Sequence, residues 1–210
     1  SDLALAAVYV PSGYDEVRSM AYSALLGQIL QPWFYSQLRT QEQLGYAVFA
    51  FPISVGKQWG LGFLLQSNSQ PPAYLYPRYL DFFAQADKRL GAMSNEDFVQ
   101  YRQAMIDELT QRPQTLSEEA SRFSNDFSRG NFRFDTRDQV VGVLKALTRD
   151  QLHQYYQQAV MNPQGLALLS QIQGNGPDAQ KGGFAAPADW TTYTDTTRLQ
   201  ATLPQQVNGQ

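Results

Sequence analysis

Two side chains suited to holding a developing negative charge lie close together in the stretch Ser36-Gln37-Leu38-Arg39-Thr40-Gln41-Glu42-Gln43-Leu44-Gly45-Tyr46. Arg39 offers a planar fork of five N–H donors, and Tyr46 offers a phenolic donor. Together they can hold a peptide backbone or stabilise an oxyanion as it forms. Two structural uses of the same residues stand beside that chemistry. An Arg in this position can bond the last carbonyls of the preceding helix, and a Tyr can pack at a sheet edge.

Other hydrolytic chemistries find no residues here. A zinc peptidase site needs two imidazoles and a carboxylate on the metal, with a further carboxylate as base. The chain has one histidine, His153, and no cysteine. His153 falls on an amphipathic helical stretch with Leu152 and Tyr155, where a surface or internally satisfied imidazole is expected. No G-x-S-x-G elbow occurs. Gly56-Lys57-Gln58-Trp59-Gly60 lacks phosphate-loop spacing and reads as a hairpin turn. The carboxylate pairs Asp107-Glu108 and Glu118-Glu119 fall on helices as solvated faces.

The elements that must position Arg39 and Tyr46 follow from periodicity. Leu3 to Val10 is a short apolar run ending at Pro11-Ser12-Gly13, a buried strand and a turn. Tyr14 to Gln37 carries apolar residues on most sides and predicts a long, deeply packed helix. Gly45 marks the exit from the helix-to-strand loop. From Tyr46 to Val55 the chain alternates: Ala47, Phe49, Phe51, Ile53 and Val55 share one face, and Tyr46, Val48, Ala50 and Ser54 the other. With the aromatic face taken as the core side, the Tyr46 hydroxyl is free to project away from it. Trp59, Leu61, Phe63 and Leu65 alternate likewise across Gly56-Lys57, giving a hairpin. Gly60 and Gly62 predict close approach of another element.

Five helices follow by spacing. Leu75, Tyr79, Phe82, Phe83, Ala86 and Leu90 mark the first. Phe98, Tyr101, Met105 and Leu109 mark the second, and Leu116, Ala120, Phe123 and Phe127 the third. Thr136 to Ala146 and Arg149 to Val160 complete the set. Ser94 with Asp97, Thr115 with Glu118 and Thr148 with Gln151 have capping-box spacing. Gly165 to Ile172 reads as a closing strand. This order predicts an α+β fold, a mostly antiparallel sheet covered by a helical layer. Residues 1–173 form the domain. Residues 174–210, opening with Gly174-Asn175-Gly176-Pro177, form a linker and a polar tail.

The 210 residues suit one domain with its own core. At a net charge of -3, with no basic stripe, nucleic acid is a poor partner. No apolar run is long enough for a membrane-spanning helix. The opening Ser1-Asp2-Leu3 has neither an initiator Met nor a basic leader, which fits a segment of a longer protein.

The run Leu38-Arg39-Thr40-Gln41-Glu42-Gln43-Leu44-Gly45-Tyr46-Ala47-Val48-Phe49 resembles the fourth and last domain of the pitrilysin/insulinase (M16) zinc metallopeptidases. The resemblance extends through Gly60-Leu61-Gly62-Phe63-Leu64-Leu65-Gln66-Ser67, and through Asn131-Phe132-Arg133-Phe134-Asp135 to Leu144-Lys145-Ala146-Leu147-Thr148. It covers about Leu3 to Gln171. It implies one of four similar domains that enclose a chamber, with the H-x-x-E-H zinc motif in a first domain absent from this chain. No cofactor is then expected in this segment, and zinc is expected in that N-terminal domain. Arg39 and Tyr46 match the family's substrate-binding Arg and Tyr: Arg39 would anchor substrate backbone, and Tyr46 would donate to the scissile carbonyl in the transition state. The implied partners are a peptide or small-protein substrate and the remaining domains of the parent, with self-association of the isolated segment through surface they would cover. The implied location is periplasmic, as for bacterial members. The alternative is a catalytically dead scaffold or peptide-binding module of an M16-like complex.

Overall fold

Leu3–Val10 forms β1, the strand around which the sheet is built. The chain then runs through α1 (Glu16–Tyr35), a π-helical turn (Ser36–Gln41), β2 (Ala47–Val55) and β3 (Gln58–Ser67). Five helices follow: α2 (Pro72–Ala92), α3 (Asn95–Thr110), α4 (Leu116–Ser128), α5 (Thr136–Ala146) and α6 (Arg149–Tyr156). A second π-helical turn (Gln157–Met161) leads to β4 (Leu166–Ile172). The computed structural model describes residues 3–173 and 183–193. The strand order is β2-β3-β1-β4, and every pairing is antiparallel. Leu5 stands between Leu65 and Gln171, and Ala7 between Phe63 and Leu169. The α+β architecture is as the element order predicts.

One face of this sheet carries the core. Leu5, Ala7 and Tyr9 of β1, Leu61, Phe63 and Leu65 of β3, and Val48 and Ala50 of β2 lie under the helices. α1 crosses that face with Leu25, Leu26, Ile29, Leu30 and Phe34 fully buried, and is enclosed on its other side by α3, α5 and α6. This enclosure explains an apolar helix without a polar face. Phe34, Phe63, Tyr79, Phe82 and Phe83 form edge-to-face contacts at centroid distances of 4.8–6.3 Å. Such pairs each add about 0.5–1.5 kcal/mol beyond area burial. Three buried tyrosines find backbone acceptors: Tyr79 donates to the Leu5 carbonyl at 2.8 Å, Tyr155 to Trp59 at 2.8 Å and Tyr156 to Phe83 at 3.0 Å. Burial pushes all three phenols above their ordinary pKa, so they act as locked donors.

The β2 face assignment is reversed relative to the sequence expectation, so the ground given for the Tyr46 hydroxyl to project away from the core does not hold, although Tyr46, just before the strand, is 48% exposed. Val48 and Ala50 point into the core, whereas Phe49 is 50% exposed and Val55 45%. Small side chains at Val48 and Ala50 let α1 lie close against the strand. The larger Phe51 lies on the open face over Gly62, where a Cβ would come within 2.6 Å of its ring. Gly60 also meets a close neighbour, since a Cβ there would collide with the Tyr9 carbonyl oxygen. β2 is an edge strand, and α1 closes its edge. The Gln31 amide accepts from Ala50 N–H and donates to the Val48 carbonyl. Pro52, next on that edge, has no N–H to offer and sits against Gly27.

The helix predicted over Tyr14 to Gln37 is α-helical only to Tyr35 and changes pitch there. Of the three expected capping boxes, Thr148 and Gln151 make both reciprocal bonds. The Ser94 hydroxyl accepts from Asp97 N–H but donates to the Asp97 carboxylate rather than leaving it to the backbone. Thr115 caps Glu118, whose carboxylate reaches Gln114 N–H instead of the Thr115 N–H. The apolar stripe of α4 faces outward: Leu116 is 82% exposed and Phe127 64%. Much of the linker expected over 174–210 lies outside the described residues. The described part, 183–193, returns to the domain. The Gln171 amide pairs with both backbone groups of Ala185 at 2.9 and 2.7 Å, and Trp190 packs against the core.

Candidate functional site

Between α1 and β2 the chain makes one wide turn that carries both candidate side chains. Ser36–Gln41 is π-helical, and its last bond runs from Glu42 N–H to the Gln37 carbonyl at 2.9 Å. A π-turn inserts an extra residue into the helical repeat and re-aims the side chains that follow. Leu38 is thereby driven fully into the core, while Arg39 is left half-buried. Leu44 N–H donates to the Leu38 carbonyl at 2.9 Å, and Leu44 is itself buried, so the turn is closed at its base by two core leucines. Gln43 takes a φ of 53°, in the left-handed region that non-glycine residues seldom occupy. Gly45 then passes so close to β3 that a Cβ would collide with the Gln66 carbonyl oxygen. The need for glycine here is close approach rather than conformational freedom. That same carbonyl accepts Tyr46 N–H at 3.0 Å, which pins the backbone of Tyr46 while 48% of the residue stays exposed.

Glu42, midway along the turn, anchors it to α2. Its carboxylate receives Arg78 Nε at 2.6 Å and Nη2 at 2.8 Å, a two-pronged contact, and Gln37 Nε2 at 3.0 Å. Arg78 Nη1 also donates to Asp81 at 2.7 Å. The Arg78 guanidinium, assisted by Gln37, holds the Glu42 carboxyl below its ordinary pKa, and the same pairing holds Arg78 above its own. Among the described residues Arg39 makes no hydrogen bond or ion pair, so the helix-carbonyl use left open by the sequence is not the one adopted. Arg39 and Tyr46 therefore share one closed turn, one residue beyond Leu38 and two beyond Leu44.

The remaining titratable candidates lie elsewhere. His153 Nε2 meets Asp87 Oδ1 at 2.6 Å, and Gln157 donates to the same oxygen at 3.1 Å. The ring also lies against Gly91. This is a satisfied structural imidazole on the helix layer. Asp107 accepts from Gln103 along α3. Among the described residues no three His, Cys, Asp or Glu side chains gather as a metal-ligand group. Among the described residues no helix is long and apolar enough to cross a membrane.

Sequence reasoning did not find the Glu42–Arg78 link. Thirty-six residues separate the two, and no local pattern marks the pair. It also missed the open sheet face carrying Phe49, Phe51 and Ile53. The alternation itself was visible, but not which of its faces α1 covers.

Residues 25–124 match the family described as "PQQ synthase PqqF-like, C-terminal lobe domain 4". The chain is 57% identical to Protease 3 of Salmonella typhi over 204 residues, 97% of this chain and 21% of that protein. Human insulin-degrading enzyme is 29% identical over 151 residues, 72% of this chain and 15% of that one. The crystal structure of pitrilysin superposes with a TM-score of 0.89 at 56% identity, covering 97% of this chain and 22% of that one. A putative zinc protease from Bordetella pertussis Tohama I shares the fold at a TM-score of 0.61 and 12% identity, over 82% of this chain and 94% of that one. The chain thus spans about a fifth of the length of the Protease 3 relatives it matches.

Proposed function

The chain belongs to the pitrilysin/insulinase (M16) metallopeptidase family as a C-terminal domain, and from that premise we propose that it is the non-zinc fourth domain of a periplasmic zinc metalloendopeptidase that degrades small polypeptides. In this reading the domain closes the chamber of the parent, and the zinc sits in the parent's N-terminal domain. Arg39 anchors substrate backbone, and Tyr46 donates its phenolic proton in a hydrogen bond to the carbonyl oxygen as it becomes an oxyanion.

The observation that carries the proposal is the closed turn itself. It spends Leu38, Leu44, Gly45 and Glu42 on internal contacts and leaves Arg39 without a protein partner among the described residues, in the same turn as a Tyr46 whose backbone is pinned and which is 48% exposed. Donors held this way need no reorganisation when charge develops, which is where such groups are most effective. A donor fork and a phenol together match the two oxygens that peptide cleavage presents, one on the backbone and one on the scissile carbonyl.

The test compares the isolated 210-residue chain with the full-length parent for bound zinc and for chelator-sensitive cleavage of a fluorogenic peptide. The chain alone is expected to hold no stoichiometric zinc and to cleave nothing, and the parent to do both. Arg39→Met in the parent is expected to raise KM. Zinc-dependent cleavage by the isolated chain would contradict the proposal. So would a parent that neither binds zinc nor cleaves, which would favour the scaffold or peptide-binding alternative.

A further inference from the structure

We propose that Glu42 and Arg78 are positioning residues for the Arg39–Tyr46 turn, so that α2, a helix that contributes neither side chain, sets where both of them stand. This rests on the reading of Arg39 and Tyr46 as substrate groups.

The turn has two supports of different kinds. Its base is held by core packing through Leu38 and Leu44 and by the Tyr46 N–H bond to Gln66. Its outer rim, from Arg39 to Gln43, has no such packing: Thr40, Gln41 and Gln43 are exposed. Among the described residues, the only residue of that rim with a charged partner on another element is Glu42. Its contact is the most constrained polar contact of the turn. Both carboxylate oxygens are engaged by one guanidinium, at 2.6 and 2.8 Å, and a fork-to-fork pair fixes orientation as well as distance. Arg78 is held in turn by Asp81, and Glu42 by Gln37, which lies inside the π-turn. The chain Gln37–Glu42–Arg78–Asp81 therefore runs from the interior of the turn to the body of α2.

Glu42 also sits at the C-cap of the π-turn, directly before Gln43 with its φ of 53°. A residue held in that region relaxes unless its surroundings over-determine it. On one side Gln43 is followed by buried Leu44 and the close-packed Gly45. On the other, the Glu42 N–H bond to the Gln37 carbonyl holds the turn to itself, and among the described residues the Glu42 carboxylate is its ion-pair tie to another element. Releasing that carboxylate leaves the rim held by its own backbone bonds alone, without an anchor on α2, so the rim that carries Arg39 shifts relative to Tyr46. Small displacements of positioning groups cost catalysis out of proportion to their effect on folding.

The experiment uses the full-length parent enzyme with Glu42→Gln, Arg78→Lys, Tyr46→Phe, and Glu42→Gln combined with Tyr46→Phe. Glu42→Gln keeps the size of the side chain and loses its charge. Arg78→Lys keeps the charge and loses the fork, and it serves if Glu42→Gln weakens folding. Each single change at Glu42 or Arg78 is expected to lower kcat/KM by about 10- to 100-fold with the melting temperature of the parent almost unmoved. The combined variant is expected to lose less than the product of the two single losses, because the part of the Glu42 effect that acts through the Tyr46 hydroxyl is already gone in Tyr46→Phe. Normal turnover in Glu42→Gln and Arg78→Lys, or losses that multiply with that of Tyr46→Phe, would overturn the positioning role and leave the reading of Tyr46 standing. Normal turnover in Tyr46→Phe itself would remove that reading, and this inference with it.

Discussion

The turn from Ser36 to Tyr46 and the segment from Pro113 to Asp135 are both polar-and-aromatic excursions from the core, and the chain finishes one and leaves the other open. In the first, Leu38 and Leu44 are buried, Glu42 is paired with Arg78, and Arg39 stays half-buried and Tyr46 48% exposed. In the second, α4 turns Leu116, Phe123 and Phe127 outward, and Phe132 follows at 70% exposure. Phe123 stacks edge-on against Phe134 and Phe127 against Phe132, so the exposed rings gather rather than scatter. Beneath α4 lies a cavity of about 480 Å³, with Met20, Leu109 and Val140 among its lining residues. Exposed apolar clusters of this kind mark surfaces that other protein covers. The difference is between a turn closed by contacts within the domain and a face whose aromatic rings stay exposed.

The largest expected effect strikes the base of the closed turn. Leu38→Ala removes a fully buried side chain and is expected to destabilise the domain by about 2–5 kcal/mol in urea unfolding. Gly45→Ala comes next. Its methyl must displace the Gln66 carbonyl that receives Tyr46 N–H, at about 1–3 kcal/mol, and the parent should lose turnover along with it. A stability change within error for either would mean that the turn is not built as described. At α4 the expectation is the opposite. Phe127→Ser and Phe132→Ser should leave unfolding of the isolated chain within about 0.5 kcal/mol, and in sedimentation the self-association expected of the isolated chain should be weaker in both variants. A large loss of stability would show that these rings belong to the domain's own core.

The smallest effect is the pH response of the tie between Glu42 and Arg78. The folded pKa of Glu42 is held below the ordinary 4.5. Its contribution to stability is therefore complete above 4.5 and is lost as pH falls through the lower, folded value. Arg78 and Asp81 of α2 and Gln37 within the turn are the polar groups around it. Acid unfolding of the chain should accordingly show a stability loss below pH 4.5 that Glu42→Gln removes. An identical acid profile in that variant would contradict the assignment.

Much of the fold was legible because its signals are local. Periodicity placed β1, the hairpin and all five helices after it, and Thr148 with Gln151 announced a complete capping box. What sequence could not supply was decided by contacts distant along the chain. The alternation from Ala47 to Val55 is equally consistent with either face being inward, and only α1, with Gly27 and Gln31 at the edge, selects Val48 and Ala50. The stripe from Leu116 to Phe127 has the spacing of a core helix, yet spacing does not say whether this chain buries it, and Leu116, Phe123 and Phe127 are exposed. Arg39 and Tyr46 were both legible as donors. The π-turn that separates Leu38 from Arg39, and the anchor at Arg78, were not, since neither leaves a mark in local composition.

The central claim is that Tyr46 acts on the transition state, and it is tested most directly by steady-state kinetics of Tyr46→Phe in the full-length parent. The phenyl ring preserves the packing and removes one donor. kcat is expected to fall by about 10²–10³-fold, with KM little changed, since a donor used mainly in the transition state adds little to ground-state binding. Turnover equal to that of the unmodified enzyme would contradict the account.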